Sequence, residues 1–203
     1  MIPHGMLQDL GELSVEHLAM VAMALVVASA IAIPGAILLS RKPRLSRWGL
    51  GFANILQTIP SLALFGFLIP IPFLGVGKAT AVVALILYAL LPILRNTLVG
   101  ITGVDAAIRE SAVAMGMTPG QVLWQVELPL GARAILAGVR IATVTTIGTA
   151  TIAAAIGAGG LGVFIFRGIA EFDTVQILAG AIPAAAMALV ADEFLGWVER
   201  RVA

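Results

Sequence analysis

Long apolar stretches, interrupted by short polar segments, dominate the chain. A helix needs about 20 mostly apolar residues to cross the hydrocarbon core of a bilayer. Five stretches approach or meet that requirement: Leu18 to Leu39, Trp48 to Ile69, Lys78 to Leu94, Ala134 to Ile156 and Val175 to Trp197. The pattern predicts an all-α, polytopic membrane bundle with transmembrane helices over 18–39, 48–69, 78–94, 134–156 and 175–197, forming one membrane domain over 1–203 with no internal repeat. The segment 95–133 stands apart, being too polar to span and too regularly patterned to be a linker.

Within that segment Val104, Ala107, Ile108, Ser111, Ala112 and Met115 share one helical face, and Asp105 and Arg109 are spaced for an i,i+4 ion pair on another. Gly116 is placed to end this helix. Thr118 follows as an N-cap with Pro119 at the first helical position and Gln121 completing a capping box. Leu128-Pro129 is expected to close the second, short helix. The result is a helix–turn–helix lying parallel to the membrane. Helices that lie on lipid carry Lys and Arg on the polar face and bulky apolar anchors on the other. This hairpin is rich in small residues and nearly neutral, which suits a groove on another protein better than a lipid surface.

Charge sets the orientation. Lys and Arg accumulate in cytoplasmic loops. Arg41, Lys42, Arg44 and Arg47 follow the first span, Arg95, Arg109 and Arg133 follow the third, and Arg200 and Arg201 follow the fifth. These nine of the twelve basic residues fall on one side, leaving Lys78 and Arg167 opposite and Arg140 near the start of the fourth span. The N-terminal end is therefore expected outside and the C-terminal end in the cytoplasm, with Trp48 and Trp197 at the cytoplasmic interface.

Composition narrows the chemistry. Residues are 60% hydrophobic and 11% charged, against about 25% charged in soluble domains. A net charge of +1 gives no footprint for nucleic acid. The absence of cysteine excludes disulfides, thiolate metal sites and thiol catalysis. His4 and His17 lie near the N-terminal end without carboxylates at metal-ligand spacing, so no metal site is expected. The first apolar run lacks a basic leader and an obvious cleavage site, and reads as a retained helix. Gly75-Val76-Gly77-Lys78-Ala79-Thr80 is no phosphate loop, since Pro72 stands where the first glycine belongs. No nucleophile–base set can be assembled, so no catalytic residue is expected. Asp192 and Glu193 lie near the cytoplasmic end of the fifth span, where pairing or interfacial solvation accounts for them.

Polar groups within spans face partner helices or a water-filled cavity. The second span carries Asn54, Gln57, Thr58 and Ser61, with Gln57 near mid-membrane and Pro60 disrupting the helix. The fourth carries Thr143, Thr146 and Thr149 along one face. Two readings stand for this set: lining of a translocation pathway, or interhelical packing and hydrogen bonding.

The run Glu110-Ser111-Ala112, then Gly116, then Val126, Leu128 and Pro129 resembles the cytoplasmic signature of binding-protein-dependent ABC importer permeases. That signature reads Glu-Ala-Ala, three residues, Gly, nine residues, Ile, one residue, Leu-Pro. The spacing matches throughout, with Ser111 for Ala and Val126 for Ile as the departures. The resemblance extends from Trp48 to the end. It is closest to the osmoprotectant branch through Gln57-Thr58-Ile59-Pro60-Ser61-Leu62-Ala63-Leu64, Ile147-Gly148-Thr149-Ala150, the glycine run from Ile156 to Gly162, and Phe166-Arg167-Gly168. The resemblance implies a type I permease in the bacterial cell (inner) membrane, moving a small compatible solute such as glycine betaine, carnitine or choline by alternating access. It implies a coupling helix ahead of Gly116 that docks on an ATPase. The implied partners are two ATP-binding cassette ATPase subunits, an extracytoplasmic substrate-binding protein and a second permease copy, identical or a sister. ATP and magnesium would then belong to the ATPase, leaving this chain without a cofactor and without enzymatic activity. An amino-acid permease, for methionine for instance, is the nearest alternative. An ion-coupled secondary transporter is the alternative from another class, but Arg140 is the one deep ionisable candidate and no inverted repeat is visible.

Overall fold

The computed structural model describes residues 4–202, and the side chains of all of these except 4–7 and 43. The backbone of His4 opens the first helix, while its side chain lies outside the described residues. Among the described residues every regular element is helical: α1 (His4–Ser40), α2 (Pro43–Thr58), α3 (Ser61–Leu68), α4 (Lys78–Thr102), α5 (Ala106–Ala114), α6 (Pro119–Val122), α7 (Leu128–Ile152), α8 (Gly162–Glu171) and α9 (Thr174–Arg201). A π-helical turn over Leu123–Glu127 joins α6 to α7, and a 3₁₀ turn over Ala153–Ile156 ends α7.

Four helical stretches are long and apolar enough to cross a membrane: Gln8–Ser40, Lys78–Thr102, Pro119–Ile156 and Thr174–Arg201. At 1.5 Å per residue the first, with 33 residues, is about 50 Å long. That exceeds the roughly 30 Å hydrocarbon core, so these helices extend beyond it, which is why their observed ends lie past the expected ones. The segment expected as the second span departs from a simple span, and its two pieces form either a broken span or a re-entrant loop. Instead of one helix over 48–69, α2 and α3 form a pair bent by 101°. Pro60 is the physical cause: it offers no amide hydrogen and forces the residue before it out of the helical region. Ile59 is accordingly extended, with φ −73° and ψ 124°.

Two further expectations are corrected. Leu128-Pro129 does not close a short helix, because α6, the π turn and α7 run on as one continuous stretch into the membrane. Pro129 sits in the first turn of α7, where its missing amide removes a bond from the preceding turn, and the backbone ahead of it winds as π. Asp105 and Arg109 do not pair. Asp105 caps α5 by accepting from the Ala107 amide at 2.9 Å, and Arg109 turns away to other partners.

The bundle is held by close approach of small residues, as expected where lipid removes the hydrophobic drive between helices. Ala24, Ala28, Ala32 and Ala36 form a fully buried i,i+4 stripe on α1, the face that packs on α4 beside Ala81, Ala84 and Ala89. Between α4 and α7 the backbones touch: a Cβ on Gly100 would stand 2.7 Å from the Gly131 carbonyl, and one on Gly131 only 2.9 Å from the Gly100 backbone. α9 packs on α7, and α8 folds back on α9.

Candidate coupling face and translocation path

The two ends of the bundle carry different chemistry. At the end holding the α5–α6 hairpin, α5 closes with a positive-φ glycine. Gly116 has φ +85°, the Met117 amide donates to Ala112 O at 3.2 Å and the Gly116 amide to Val113 O at 2.9 Å. A left-handed residue at this position lets the chain reverse and satisfy the last carbonyls. The capping box forms as expected, with the Thr118 amide donating to Gln121 Oε1 at 2.8 Å and the Gln121 amide to Thr118 Oγ1 at 3.4 Å.

The signature residues divide between the two faces of this hairpin. Ala112 is buried, Val126 and Leu128 are half-buried, and Glu110, Ser111, Gly116 and Pro129 are exposed. The face expected to be shared by Val104, Ala107, Ile108, Ser111, Ala112 and Met115 is split: Val104 and Ala112 turn inward, and Ile108 and Met115 remain exposed. With Val113 and Trp124 they leave an apolar surface that this chain does not cover. The hairpin therefore does not close on a core of its own.

Beneath it lies a feature that the sequence did not reveal. Glu127 is 1% exposed and is held by Arg41, whose Nη2 and Nη1 donate to Oε2 and Oε1 at 2.5 and 3.1 Å. Arg109 Nε lies 3.5 Å from Oε1, a charge contact without hydrogen-bond geometry. Between Val126 and Leu128, Glu127 reads from sequence as an ordinary solvated residue of a surface helix. Neither arginine has a spacing that announces the pairing.

A second ionic junction ties α7 to α9. Arg140 donates through Nε and Nη2 to the two oxygens of Asp192, at 2.6 and 2.7 Å, and Nη1 reaches Glu199 at 3.4 Å. Arg133 lies 3.7 Å from Glu199. Arg140 and Asp192, on the fourth and fifth expected spans, are therefore partners of each other.

Midway along α4 two interrupted helices satisfy each other. Pro92 has no amide to offer Tyr88 O, its partner four residues back. Gln57 Nε2 donates to that carbonyl instead, at 2.9 Å. In return the Tyr88 hydroxyl donates to Ile59 O, at the break between α2 and α3. Asn54 and Thr58 share the exposed side of α2 with Gln57, and Ser61 is half-buried at the start of α3. The α7 threonines are placed differently. Thr143 and Thr146 are 8% and 1% exposed, and Thr149 is half-buried. Thr143 and Thr149 donate back to the carbonyls four residues earlier. The structure thus brings Gln57 to Tyr88 and keeps Thr143 and Thr146 inside the chain's own packing.

At the opposite end, Lys78 Nζ donates to Glu16 Oε1 at 2.7 Å, and the Gly160 amide to Glu16 Oε2 at 3.3 Å. A ring nitrogen of buried His17 meets Ile147 O at 3.1 Å. The glycine run is pinned there, with Gly157, Gly159 and Gly160 all at positive φ. Beyond it Asp173 caps α9, and hydrogen bonds from the Gln176 side chain and then from backbone amides hold its carboxyl below the usual carboxylate range. Among the described residues no group of His, Asp and Glu is arranged to hold a metal ion.

A bundle of long apolar helices able to cross a membrane, with a short hairpin at one end and a bent helix pair beside α4, is the architecture of an integral membrane protein. The chain belongs to the family of binding-protein-dependent transport system inner membrane components, whose profile matches residues 16–203. It is 51% identical over 185 residues to the carnitine transport permease protein OpuCD of Listeria monocytogenes, covering 91% of this chain and 82% of that protein. It is 47% identical over 185 residues to the glycine betaine/carnitine/choline transport system permease protein OpuCD of Bacillus subtilis, covering 91% and 80%. The methionine ABC transporter MetNI, solved in inward-facing conformations, contains a chain that superposes with a TM-score of 0.89 at 23% identity over 100% of both chains. That likeness shows the type I permease fold.

Proposed function

We propose that this chain, as one membrane domain over 1–203, is the permease subunit of an ABC importer for a small quaternary amine, with glycine betaine, carnitine and choline as the candidate solutes. The observation that carries this reading is its 51% identity to a carnitine permease across 91% of the chain. The exposed apolar hairpin around Gly116 supports a partner ATPase on that face, two copies serving a pair of permeases. ATP and magnesium reside there. Solute capture belongs to a separate binding protein on the other side, at the end marked by Glu16, Lys78 and the glycine run. The excess of arginine at the hairpin end supports a cytoplasmic assignment for it, with the N-terminal end outside and the C-terminal end inside.

Five crossings enclose no pathway alone, so a second copy or a sister permease completes it. We assign Asn54, Gln57, Thr58 and Ser61 to the path, and Thr143, Thr146 and Thr149 to the packing beside it. Closure of the ATPases displaces the hairpins, and the bundle alternates between inward- and outward-open forms.

Uptake of labelled glycine betaine at high osmolarity, in cells with and without the gene, tests this reading. Gene-dependent uptake competed by unlabelled carnitine and choline, but not by methionine or proline, is the expected result. Gene-dependent uptake of methionine in its place overturns the substrate assignment.

A further inference from the structure

We infer that Glu127 is the positioning residue through which displacement of the coupling helix reaches the first two membrane-crossing segments. This rests on the proposed function in one respect, the assignment of an ATPase to the α5 face.

Glu127 gathers groups that are far apart in the chain. Arg41 lies in the turn between α1 and α2, 86 residues away in sequence. Arg109 lies on α5 itself, and its Nη2 also donates to Thr102 O, on the last residue of α4, at 3.1 Å and to Val104 O, in the turn that follows, at 2.5 Å. Glu127 is the last residue of the π turn that feeds α7. One carboxylate therefore joins the α1–α2 turn, the end of α4, the coupling helix and the start of α7.

The two contacts differ in stiffness. The Arg41 fork is bidentate, which fixes distance and direction together. The Arg109 contact is a single approach at 3.5 Å outside hydrogen-bond geometry. A push on α5 therefore moves Arg109 relative to Glu127 first. A carboxylate this deeply buried does not give up its positive neighbours without cost, so Glu127 follows Arg109 and, through the bidentate fork, draws Arg41 along. This motion carries the displacement into α7 and into the α1–α2 turn. The π turn supplies the compliance: such turns are rare, interrupt regular winding and recur at functional sites. A purely structural ion pair needs none of these features, and would not need one of its two cations to sit on the docking helix.

The test uses the intact transporter, purified from its own membranes through a tag on this chain and reconstituted in liposomes. Glycine betaine uptake and ATP hydrolysis are read in the same preparation, with and without the binding protein. In Glu127→Gln, basal hydrolysis is expected to persist while uptake per ATP falls about tenfold, a size within the range of couplings between sites. Stimulation of hydrolysis by the binding protein is expected to be lost with it. Hydrolysis and uptake falling in parallel, with their ratio unchanged, would overturn the inference.

Arg41→Gln covers the case in which Glu127→Gln does not assemble, because Arg41 is half-exposed and its loss leaves Glu127 beside Arg109. A several-fold drop in uptake per ATP is expected there, and an unchanged ratio again overturns the inference. If the wild-type complex hydrolyses ATP but imports no quaternary amine, the substrate assignment fails by itself. The loss of binding-protein stimulation in Glu127→Gln then still decides the role of the carboxylate.

Discussion

At the scale of single residues, Gly116 shows how one backbone angle sets a turn. Its φ of +85° turns the chain between α5 and α6, and a Cβ added there would meet nothing within 4 Å. Any effect of substitution is therefore conformational rather than steric crowding. A side chain with a branched Cβ resists this region by about 1–2 kcal/mol, while asparagine tolerates it. Gly116→Val is expected to abolish uptake with normal abundance in the membrane, and Gly116→Asn to retain most of it, measured by transport assay beside immunoblot of the membrane fraction. Equal uptake by both variants would mean that the turn does not position the hairpin.

At the scale of elements, the bent pair α2–α3 is the part of the molecule that departs furthest from a simple span. A break in a helix frees backbone carbonyls, and where lipid or protein takes the place of water another group has to bond them. Tyr88 does so for Ile59, and Gln57 does so for the Tyr88 carbonyl left free by Pro92. Each interrupted helix supplies what the other lacks. Tyr88→Phe removes one side of this exchange without changing the packing volume. Hydrogen bonds between membrane helices average about 0.6 kcal/mol and reach about 1.7 kcal/mol. The variant is expected to assemble and to lose thermal stability within that range, measured by unfolding of the purified complex in detergent. A loss well above it would mean that the hydroxyl holds more than this one carbonyl.

At the scale of the whole molecule, the bundle depends on how closely α4 and α7 approach. Gly100 and Gly131 face each other across backbone contact, and Gly138 sits against Asn96 and the Pro92 carbonyl two turns along. This seam lies between the hairpin end and the middle of the membrane, so it sets the angle at which α7 leaves the Glu127 junction. Gly131→Leu forces a side chain where backbone stands and is expected to destabilise the purified protein by about 3 kcal/mol, the upper part of the usual cost of overpacking. Size-exclusion profiles and thermal unfolding in detergent check it. A variant of unchanged stability would show that the seam opens freely.

What the sequence determined by itself is what local physics controls. Runs of apolar residues specify the long helices able to cross a bilayer, because a lipid solvent penalises every unpaired backbone group. Gly116, Thr118, Pro119 and Gln121 specify the hairpin turn, because caps and turns are formed by residues within four positions of one another. The signature from Glu110 to Pro129 was legible through its resemblance to a known family's motif, not through local physics. The tertiary structure decided what depends on distant partners. It turned 48–69 into a bent pair, since the angle at Pro60 is set by the neighbours that bond the broken ends. It carried α6 through Leu128-Pro129 into α7, since a π turn absorbs the missing amide. It released Asp105 and Arg109 from their expected pairing, because a cap and the end of α4 offered each a better partner. It also buried Glu127 between two arginines, one of them 86 positions away. Such a pairing leaves no periodic trace, because charge attraction acts through space and a helical repeat records only which residues share a face.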